Sequence, residues 1–167
     1  MSDIGNQKII SFLDDLSSGK PTPGGGAVAA LGASLGASLC EMVANLTKSD
    51  MESVIKKSKI LRKRLLELSN EDVEAFNDVM ASYKEKDKKK IEAALKKATL
   101  VPLETAKLSE EVTLIARMLM KKGNKNAYSD AKSAYYFSLA SKKSAIENIK
   151  INLKYIKDEK WKKKIEY

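Results

Sequence analysis

Glycine and proline, the two residues that most often interrupt helices, are concentrated in one part of this chain. Of the 8 glycines, four lie between residues 19 and 26 and two more stand at positions 32 and 36. The rest of its 167 residues is nearly free of helix breakers and shows no strong alternation of apolar and polar residues. With 43% hydrophobic and 32% charged residues, the composition is that of a globular protein. We therefore expect an all-α fold, a single-domain bundle of about five long helices that spans residues 1–167.

Apolar residues recur at helical spacing in five segments, which are separated by breakers or by capping residues. In the first segment the apolar residues are expected to share one core-facing side; they are Ile4, Ile9, Ile10, Phe12, Leu13 and Leu16. Pro102 falls inside the fourth segment, where it removes a backbone donor and is expected to kink the helix. The five predicted helices span residues 4–16, about 26–47, about 50–83, about 87–122, and from between 126 and 130 to about 157.

The second predicted helix begins in an unusual way. The sequence Pro-Thr-Pro-Gly-Gly-Gly occupies residues 21–26, and a run of almost only small side chains follows it to residue 38. Three glycines let another group approach the backbone closely, and the N-terminus of a helix offers unpaired N–H groups to a carboxylate, a phosphate or a polarised carbonyl. No Gly-Lys-Ser/Thr follows, so this is not a P-loop. The glycines also do not follow a strand in a Gly-x-Gly-x-x-Gly pattern, so a dinucleotide site is not expected. Taken alone, the segment is somewhat better explained as the plain end of a loop and the start of a helix.

The residue types that are missing limit the possible chemistry. The chain has no histidine and a single cysteine, Cys40, so a zinc cluster and an internal disulfide are excluded. Acid–base chemistry near neutral pH must then use carboxylates, lysine, tyrosine or backbone groups. The N-terminus lacks the basic segment of a signal peptide, and the apolar stretch 27–43 is shorter than a typical membrane span and contains Glu41. We expect a cytoplasmic protein without a membrane segment or a bound metal.

The formal charge of +9 allows acidic partners such as nucleic acid, a membrane surface or a polyanionic small molecule. The lysines cluster in residues 84–97 and 154–164, where acidic residues alternate with them at helical spacing. That pattern is more typical of a solvated helix face than of a nucleic-acid site. Aromatic residues are only 6% of the chain, which argues against a platform for stacking bases. Nucleic-acid binding is therefore the less favoured prediction.

Five polar residues interrupt helix faces that are otherwise apolar, or stand at a helix start. Taken singly, each has an ordinary explanation, because a buried amide can be satisfied locally and an aspartate at a helix start can be a cap. As a set, carboxylates and amides that project from different helices predict a polar cavity within the bundle. These residues are Asn45, Asp72, Asp130, Asn148 and Asn152, the last two being one helical turn apart.

Six short segments, taken in order along the chain, resemble the formiminotransferase-cyclodeaminase C-terminal family. They are Pro21-Thr-Pro-Gly-Gly-Gly26, Met42-Val-Ala-Asn-Leu-Thr47, Asp72-Val-Glu-Ala-Phe76, Val101-Pro-Leu-Glu104, Asn126-Ala-Tyr-Ser-Asp130 and Asn148-Ile-Lys-Ile-Asn-Leu153. The resemblance covers roughly residues 5–160, and the shared order is more specific than any one motif. It implies a helical homodimer with a folate site formed by the helices and the glycine turn. The segment after Tyr83 departs from the family pattern, so we expect one wall of that site to differ.

The resemblance implies a folate one-carbon enzyme that uses a tetrahydrofolate derivative as substrate and needs no cofactor. Cyclodeaminase chemistry requires the two reacting nitrogens to be held together, a proton to reach the departing amine and a negative field near the developing cation. We expect Asp72 to move the proton, and Asp130 to supply the field or grip the pterin. The lysines are expected to attract the glutamate tail of the folate. Residues expected to bind the substrate are Pro23, Gly24, Gly25, Gly26, Asn45, Asn148 and Asn152.

Two alternatives to formiminotetrahydrofolate cyclodeaminase stay open from the sequence. A methenyltetrahydrofolate cyclohydrolase would need nearly the same site, with water as the attacking group. A basic helical binding module without catalytic activity is the more distant alternative, and it would bind nucleic acid with a steep dependence on salt.

Overall fold

The computed structural model describes residues 3–165 and residue 167, and in this part of the chain it contains helices but no strands. Two single 3-10 turns, Ile4–Asn6 and Lys125–Ala127, accompany six helices. The all-α prediction is confirmed, since each of the five predicted helices is present. The helices are α1 (Ile9–Ser17), α2 (Gly25–Asn45), α3 (Glu52–Glu85), α4 (Lys88–Lys122), α5 (Tyr128–Tyr155) and the short α6 (Glu159–Lys162).

The prediction for the first helix was wrong in its start and in its core face. The 3-10 turn is held by Asp3, whose carboxylate accepts the N–H of Gly5, and extended backbone at Gln7 then separates this turn from α1. Because the helix does not run continuously from residue 4, the apolar residues do not form one helical stripe. Phe12 is the buried residue of α1, whereas Ile9 is 80% and Ile10 is 62% exposed.

Helix α2 packs against α3, α4 and α5, and its alanines and glycines form most of this contact. A Cβ atom added at Gly36 would lie 3.1 Å from the carbonyl oxygen of Ala134, so the backbones of α2 and α5 pass very close to each other. The remaining face of α2 is apolar but exposed at every seventh residue: Val28, Leu35 and Met42. Small residues face the bundle and larger apolar residues face outward, which is the reverse of an ordinary amphipathic helix.

By length and composition alone, α2 is also sufficiently apolar to cross a membrane, and it is the one such helix among the described residues. Its packing explains this composition without a bilayer. Ala30, Ala33 and Ala37 are fully buried within the bundle, where only small apolar side chains fit between closely spaced helices.

We expect Gly36→Ala to destabilise the fold by about 1–3 kcal/mol, because the new methyl group must push against the α5 backbone rather than against a flexible side chain. Gly32 provides the matched control, since a Cβ there meets chiefly the Ser141 hydroxyl oxygen, at 2.7 Å. In a Ser141→Ala background, Gly32→Ala should be neutral or stabilising by up to about 1 kcal/mol through helix propensity. Urea unfolding of these variants measures the change in the free energy of unfolding. An equal loss of stability at the two glycines would contradict the close contact at Gly36.

The ends of α3, α4 and α5 agree closely with the sequence. Helix α4 starts where it was predicted, at about residue 87, and Asp87 caps it: its carboxylate accepts the N–H groups of Lys89 and Lys90. Gly123 ends α4 as predicted, and Lys86, in the left-handed conformation, ends α3. The predicted start of α3 at about residue 50 is one residue early: the N-cap is Met51, and the Asp50 carboxylate accepts the N–H of Glu52 at 3.0 Å. Helix α4 continues across Pro102 as one element.

One arginine joins α3 to α4. The guanidinium of Arg64 donates two hydrogen bonds to the carboxylate of Glu104, at 2.7 and 2.9 Å. It also donates to Glu71, which precedes Asp72 on α3. This pairing lowers the pKa of Glu104 and raises that of Arg64, so the cluster stays ionised at neutral pH. The two helices are therefore held in a defined register near Asp72.

Candidate active site

A cavity of about 650 Å³ lies at the N-terminal end of α2, between that end and helices α3, α4 and α5. Its size is suited to a ligand of the dimensions of a fused bicyclic ring with a substituent. The residues that line it come from the glycine turn and from all three neighbouring long helices. They are Pro21, Thr22, Gly24, Gly25, Gly26, Asp72, Phe76, Val79, Met80, Tyr83, Leu95, Ala98, Asn148, Ile151, Asn152 and Tyr155.

The glycine turn forms the floor of the cavity. Gly24 is the N-cap residue of α2, in extended backbone, and it has no side chain that could cap the helix. The first N–H groups of α2 are therefore left for groups that line or enter the cavity. Pro23, predicted to contact a ligand, is buried and is not among the lining residues, and the Thr22–Pro23 peptide bond is cis. Of the predicted turn residues, Gly24, Gly25 and Gly26 line the cavity.

Asp72 stands directly on this floor. Its carboxylate lies so close to Gly26 that any Cβ atom at position 26 would overlap it. Burial raises the pKa of Asp72 to about 6, and a hydrogen bond from the N–H of Ala27 opposes part of this rise. It is the one acidic side chain among the lining residues. A carboxylate with a pKa near neutrality, at the start of a helix, is placed to exchange a proton with a bound ligand.

We expect Gly26→Ala to reduce turnover by at least about tenfold, because the new methyl group forces the Asp72 carboxylate to rotate away from the α2 N-terminus. Gly25→Ala is the control for stability, since its Cβ would meet the Asn148 amide nitrogen at an ordinary 3.8 Å. Steady-state kinetics and thermal unfolding of both variants test this. Full turnover by a folded Gly26→Ala protein would mean that the position of the carboxylate does not matter.

Asn148 and Asn152, predicted from their spacing, do line the same cavity. The side-chain nitrogen of Asn148 donates to the carbonyl oxygen of Ser144 at 2.9 Å, and that of Asn152 donates to the carbonyl oxygen of Ala98 at 3.1 Å. In the part of the chain that the structure describes, no group donates to the side-chain oxygen of either residue. Each amide is thus held by its nitrogen while its oxygen keeps its full capacity as an acceptor.

Aromatic and apolar side chains form the remaining walls, and sequence reasoning missed their role. Phe76, Met80 and Tyr83 follow Asp72 on α3 at spacings of four and three, so they share its face, and Tyr155 approaches from α5. The apolar periodicity of α3 predicts a core face here, yet Met80 and Tyr83 are partly exposed at the cavity. Their position on the same helix face as Asp72 was the sequence signal that could have identified them as cavity residues. Flat rings beside a few polar groups suit a planar heterocycle.

Asn45 and Asp130 are not among the cavity residues. Asn45 ends α2, about 30 Å along the helix from Gly25, and its side chain donates to the carbonyl oxygen of Glu41 at 2.8 Å. Asp130 lies in the first turn of α5, about 27 Å along that helix from Asn148. The two residues therefore lie at the opposite end of the bundle, and the expectation of one cavity holding both aspartates is not met within a single chain. Their roles stay predictions.

Among the described residues, no group of three or more histidine, cysteine, aspartate or glutamate side chains is arranged to hold a metal ion. The cavity offers one carboxylate, two amides, tyrosine hydroxyls and backbone N–H groups. These are groups that recognise the edges of an organic ligand through hydrogen bonds.

Comparison with known proteins finds similar sequences and a similar structure. The methenyltetrahydrofolate cyclohydrolase of Methylorubrum extorquens is 40% identical over 92% of this chain and 83% of its own length. The formimidoyltransferase-cyclodeaminase of Rattus norvegicus is 28% identical over 92% of this chain, which spans about a third (32%) of that relative. The crystal structure of formiminotetrahydrofolate cyclodeaminase from Thermotoga maritima has a TM-score of 0.92 at 32% identity, covering 97% of this chain and 86% of that one.

The sequence profile of the formiminotransferase-cyclodeaminase family matches residues 8–167, which is nearly the whole chain. The helical fold is thus shared with proteins named for one-carbon chemistry on folates, and the chain belongs to the formiminotransferase-cyclodeaminase family.

Proposed function

We propose that this protein is a methenyltetrahydrofolate cyclohydrolase, which opens the one-carbon bridge of 5,10-methenyltetrahydrofolate with water. The observation that carries the proposal is the Asp72 carboxylate, held at the start of α2 with a pKa of about 6. At neutral pH such a group is mostly ionised and can accept a proton from water. The relative with 40% identity over most of both chains bears the same name, which reverses the order of preference from the sequence alone.

The reaction needs one base that later returns a proton. Water attacks the bridging carbon, a C–O bond forms, and Asp72 takes the proton that the water loses. The tetrahedral intermediate then expels N5: the C–N5 bond breaks, its electron pair and the proton held by Asp72 go to N5, and the hydroxyl oxygen becomes the formyl oxygen. The hydroxyl proton leaves to solvent, so the cationic substrate and water give 10-formyltetrahydrofolate and one proton. The ionised carboxylate also favours the cationic substrate electrostatically.

Cyclodeaminase activity is the second candidate, supported by the Thermotoga maritima structure and by the mammalian relatives. In that reaction N10 attacks the formimino carbon on N5, a C–N10 bond forms, and the proton of N10 passes to the formimino nitrogen. A second proton comes from an acid, the bond between carbon and this nitrogen breaks, and ammonia leaves with the electron pair, which gives the methenyl cation. The same carboxylate would serve in its protonated form as the acid. The two reactions thus place opposite demands on Asp72 when the substrate binds: the cyclohydrolase needs the ionised carboxylate and the cyclodeaminase needs the protonated form.

Two assays on the purified protein decide between these activities. A cyclohydrolase removes the methenyl absorbance of 5,10-methenyltetrahydrofolate without producing ammonia, whereas a cyclodeaminase releases one ammonia for each formiminotetrahydrofolate converted to the methenyl form. Turnover of neither folate, together with RNA or DNA binding that falls steeply with salt, would support the basic binding module instead. Turnover of the methenyl compound at a rate no faster than in buffer would contradict our proposal.

We further propose that the glutamate tail of the folate leaves the cavity between its two tyrosines. Lys84 follows Tyr83 on α3, and Lys154 precedes Tyr155 on α5, so the two lysine-rich segments begin where the cavity walls end. Lys84 and Lys154 are both exposed, and each lies in the last turn of its helix. Together with the charge of +9, this arrangement supports electrostatic attraction of an anionic tail to the mouth of the cavity.

We also propose that the functional unit is a homodimer formed along α2. Val28, Leu35 and Met42 form an exposed apolar stripe along one side of α2, which suits a self-complementary interface. A two-fold axis near Leu35 would place Val28 of one copy beside Met42 of the other. The end of α2 that carries Asn45 would then lie beside the cavity of the second copy.

Asp130 belongs to that same end of the bundle. Asn124, which precedes α5, donates from its side chain to the carbonyl oxygen of Leu46 at 2.7 Å, so the end of α2 and the start of α5 are joined. In the proposed dimer, Asn45 and Asp130 of one copy would approach the cavity of the other. In this dimer both residues would lie near substrate bound to the other copy, whereas within a single chain they are far from the cavity.

A further inference from the structure

Pro102 leaves a gap in the backbone hydrogen bonding of α4 beside the cavity. Proline has no N–H, so the carbonyl oxygen of Ala98, four residues earlier, receives no helical hydrogen bond from position 102. Ala98 lines the cavity, and its carbonyl oxygen accepts a hydrogen bond from a side chain of another helix. The side-chain nitrogen of Asn152 on α5 donates to it at 3.1 Å.

This hydrogen bond determines which way the Asn152 amide faces. An amide has a donor nitrogen and an acceptor oxygen, and a carbonyl oxygen accepts hydrogen bonds but cannot donate one. Only the nitrogen of Asn152 can therefore face Ala98. Asn148, one turn earlier on the same helix, is fixed in the same way by the carbonyl oxygen of Ser144, at 2.9 Å. Each side chain is left with a free acceptor oxygen in the wall of the cavity.

We propose that Pro102 is a positioning residue for substrate recognition: it frees the Ala98 carbonyl, which fixes Asn152 with its oxygen available to the donor edge of the pterin ring. This inference rests on the proposed folate activity. The 2-amino group and the N3–H of a pterin are adjacent donors on one edge, and the two asparagine oxygens offer them fixed acceptors on α5. Asp72 on the α3 wall is then left free for the one-carbon bridge.

If Asn152 contributed only to stability, variants at Pro102 and Asn152 would behave differently. If Asn152 only satisfies the Ala98 carbonyl, Pro102→Ala should remove the need for it, because the substituted alanine would supply the missing N–H. Binding of the substrate would then be unaffected by either change. If Asn152 also presents its oxygen to the pterin, substrate binding must depend on it even when the carbonyl is satisfied.

The experiment is a double-mutant cycle of Pro102→Ala and Asn152→Ala, with KM, kcat and thermal unfolding measured for each protein. Asn152→Ala should lower the melting temperature and raise KM about tenfold, with kcat changed less than about threefold. In Pro102→Ala/Asn152→Ala the melting temperature should recover while KM stays raised. Pro102→Ala alone should be at least as stable as the natural protein, yet show a KM raised several-fold, because the Asn152 amide is free to turn.

Leu100→Ala, at a half-exposed position on α4, serves as the matched control and should leave KM and kcat unchanged. An analogue of the substrate with methyl in place of the 2-amino group provides a second measurement. The natural protein should use it about tenfold less efficiently, and proteins with Asn152→Ala should discriminate much less.

An unchanged KM in either Pro102→Ala or the double variant would overturn the inference, because a stable protein would then bind substrate equally well without the fixed amide. Equal discrimination against the analogue by the natural protein and by the double variant would overturn it as well. These outcomes are distinct from failure of the proposed function, in which the natural protein itself turns over neither folate.

Discussion

Asp72→Asn should lower kcat/KM by about 10²–10⁴-fold while the protein stays folded, because the variant keeps the shape of the side chain but cannot accept or return a proton. Asp72 is the one carboxylate in the cavity, so no neighbouring lining residue can replace it. Asp78→Asn is the matched control. It makes the same chemical change on α3, at an exposed side chain that pairs with Lys97 at 2.8 Å, and we expect little effect on activity.

The same substitution should increase stability at neutral pH. Burial raises the pKa of Asp72 to about 6 in the folded protein, above the value of about 3.9 in an unfolded chain. The folded state therefore binds this proton more tightly, and its stability falls as the pH rises from about 4 to about 6 and is level above that range. Asp72→Asn removes this penalty, so it should stabilise the fold by up to about 3 kcal/mol at pH 7 and by less at pH 4.

The pH profile of the natural protein then reports the role of the carboxylate. For a base that must be ionised, kcat/KM should rise through a pKa of about 6 and level off above it. For an acid that must be protonated, activity should instead fall above that pH. A profile that Asp72→Asn leaves unchanged, or an Asp72→Asn protein with full activity, would remove this residue from the mechanism.

The fold could be predicted from the sequence because its signals are local. Glycine and proline mark the ends of helices, and apolar periodicity marks their lengths, so α2 to α5 were found within a few residues. The core face of α1 was wrong because the extended backbone at Gln7 depends on contacts with α3, including the hydrogen bond from Ile4 to Asn70. Such long-range contacts leave no periodic signal in the sequence.

The candidate site was predictable only in part. Asp72, Asn148 and Asn152 share the cavity as expected, because spacing along a helix determines which face a residue occupies. Helix length was the overlooked constraint: Asp130 and Asn148 lie on one continuous helix, so its rise of about 1.5 Å per residue already separates them. The pairing of Asn152 with the carbonyl beside Pro102 could not be predicted, since it depends on the register between α4 and α5.

Mixing two inactive variants should restore activity if Asp130 acts across a dimer. We expect Asp130→Asn and Asp72→Asn each to abolish most turnover alone. In a mixed dimer, one cavity carries both substitutions, while the other has its own Asp72 and Asp130 of the second copy. Random pairing makes half of the dimers mixed, each with one intact site of two, so about a quarter of the natural activity should return. To test this, the two variants are refolded together, and the turnover of the mixture is compared with that of each variant refolded alone.

A change at the proposed interface tests whether the contact itself is required. Leu35 is 50% exposed at the centre of the α2 stripe, so Leu35→Glu should leave the isolated fold intact but place two like charges together at the two-fold axis. We expect a folded monomer by sedimentation, with activity reduced at least about tenfold. An Asp130→Asn protein with normal turnover would exclude this residue from catalysis. Inactive mixed dimers, or a fully active Leu35→Glu monomer, would instead show that each cavity works with the residues of one chain.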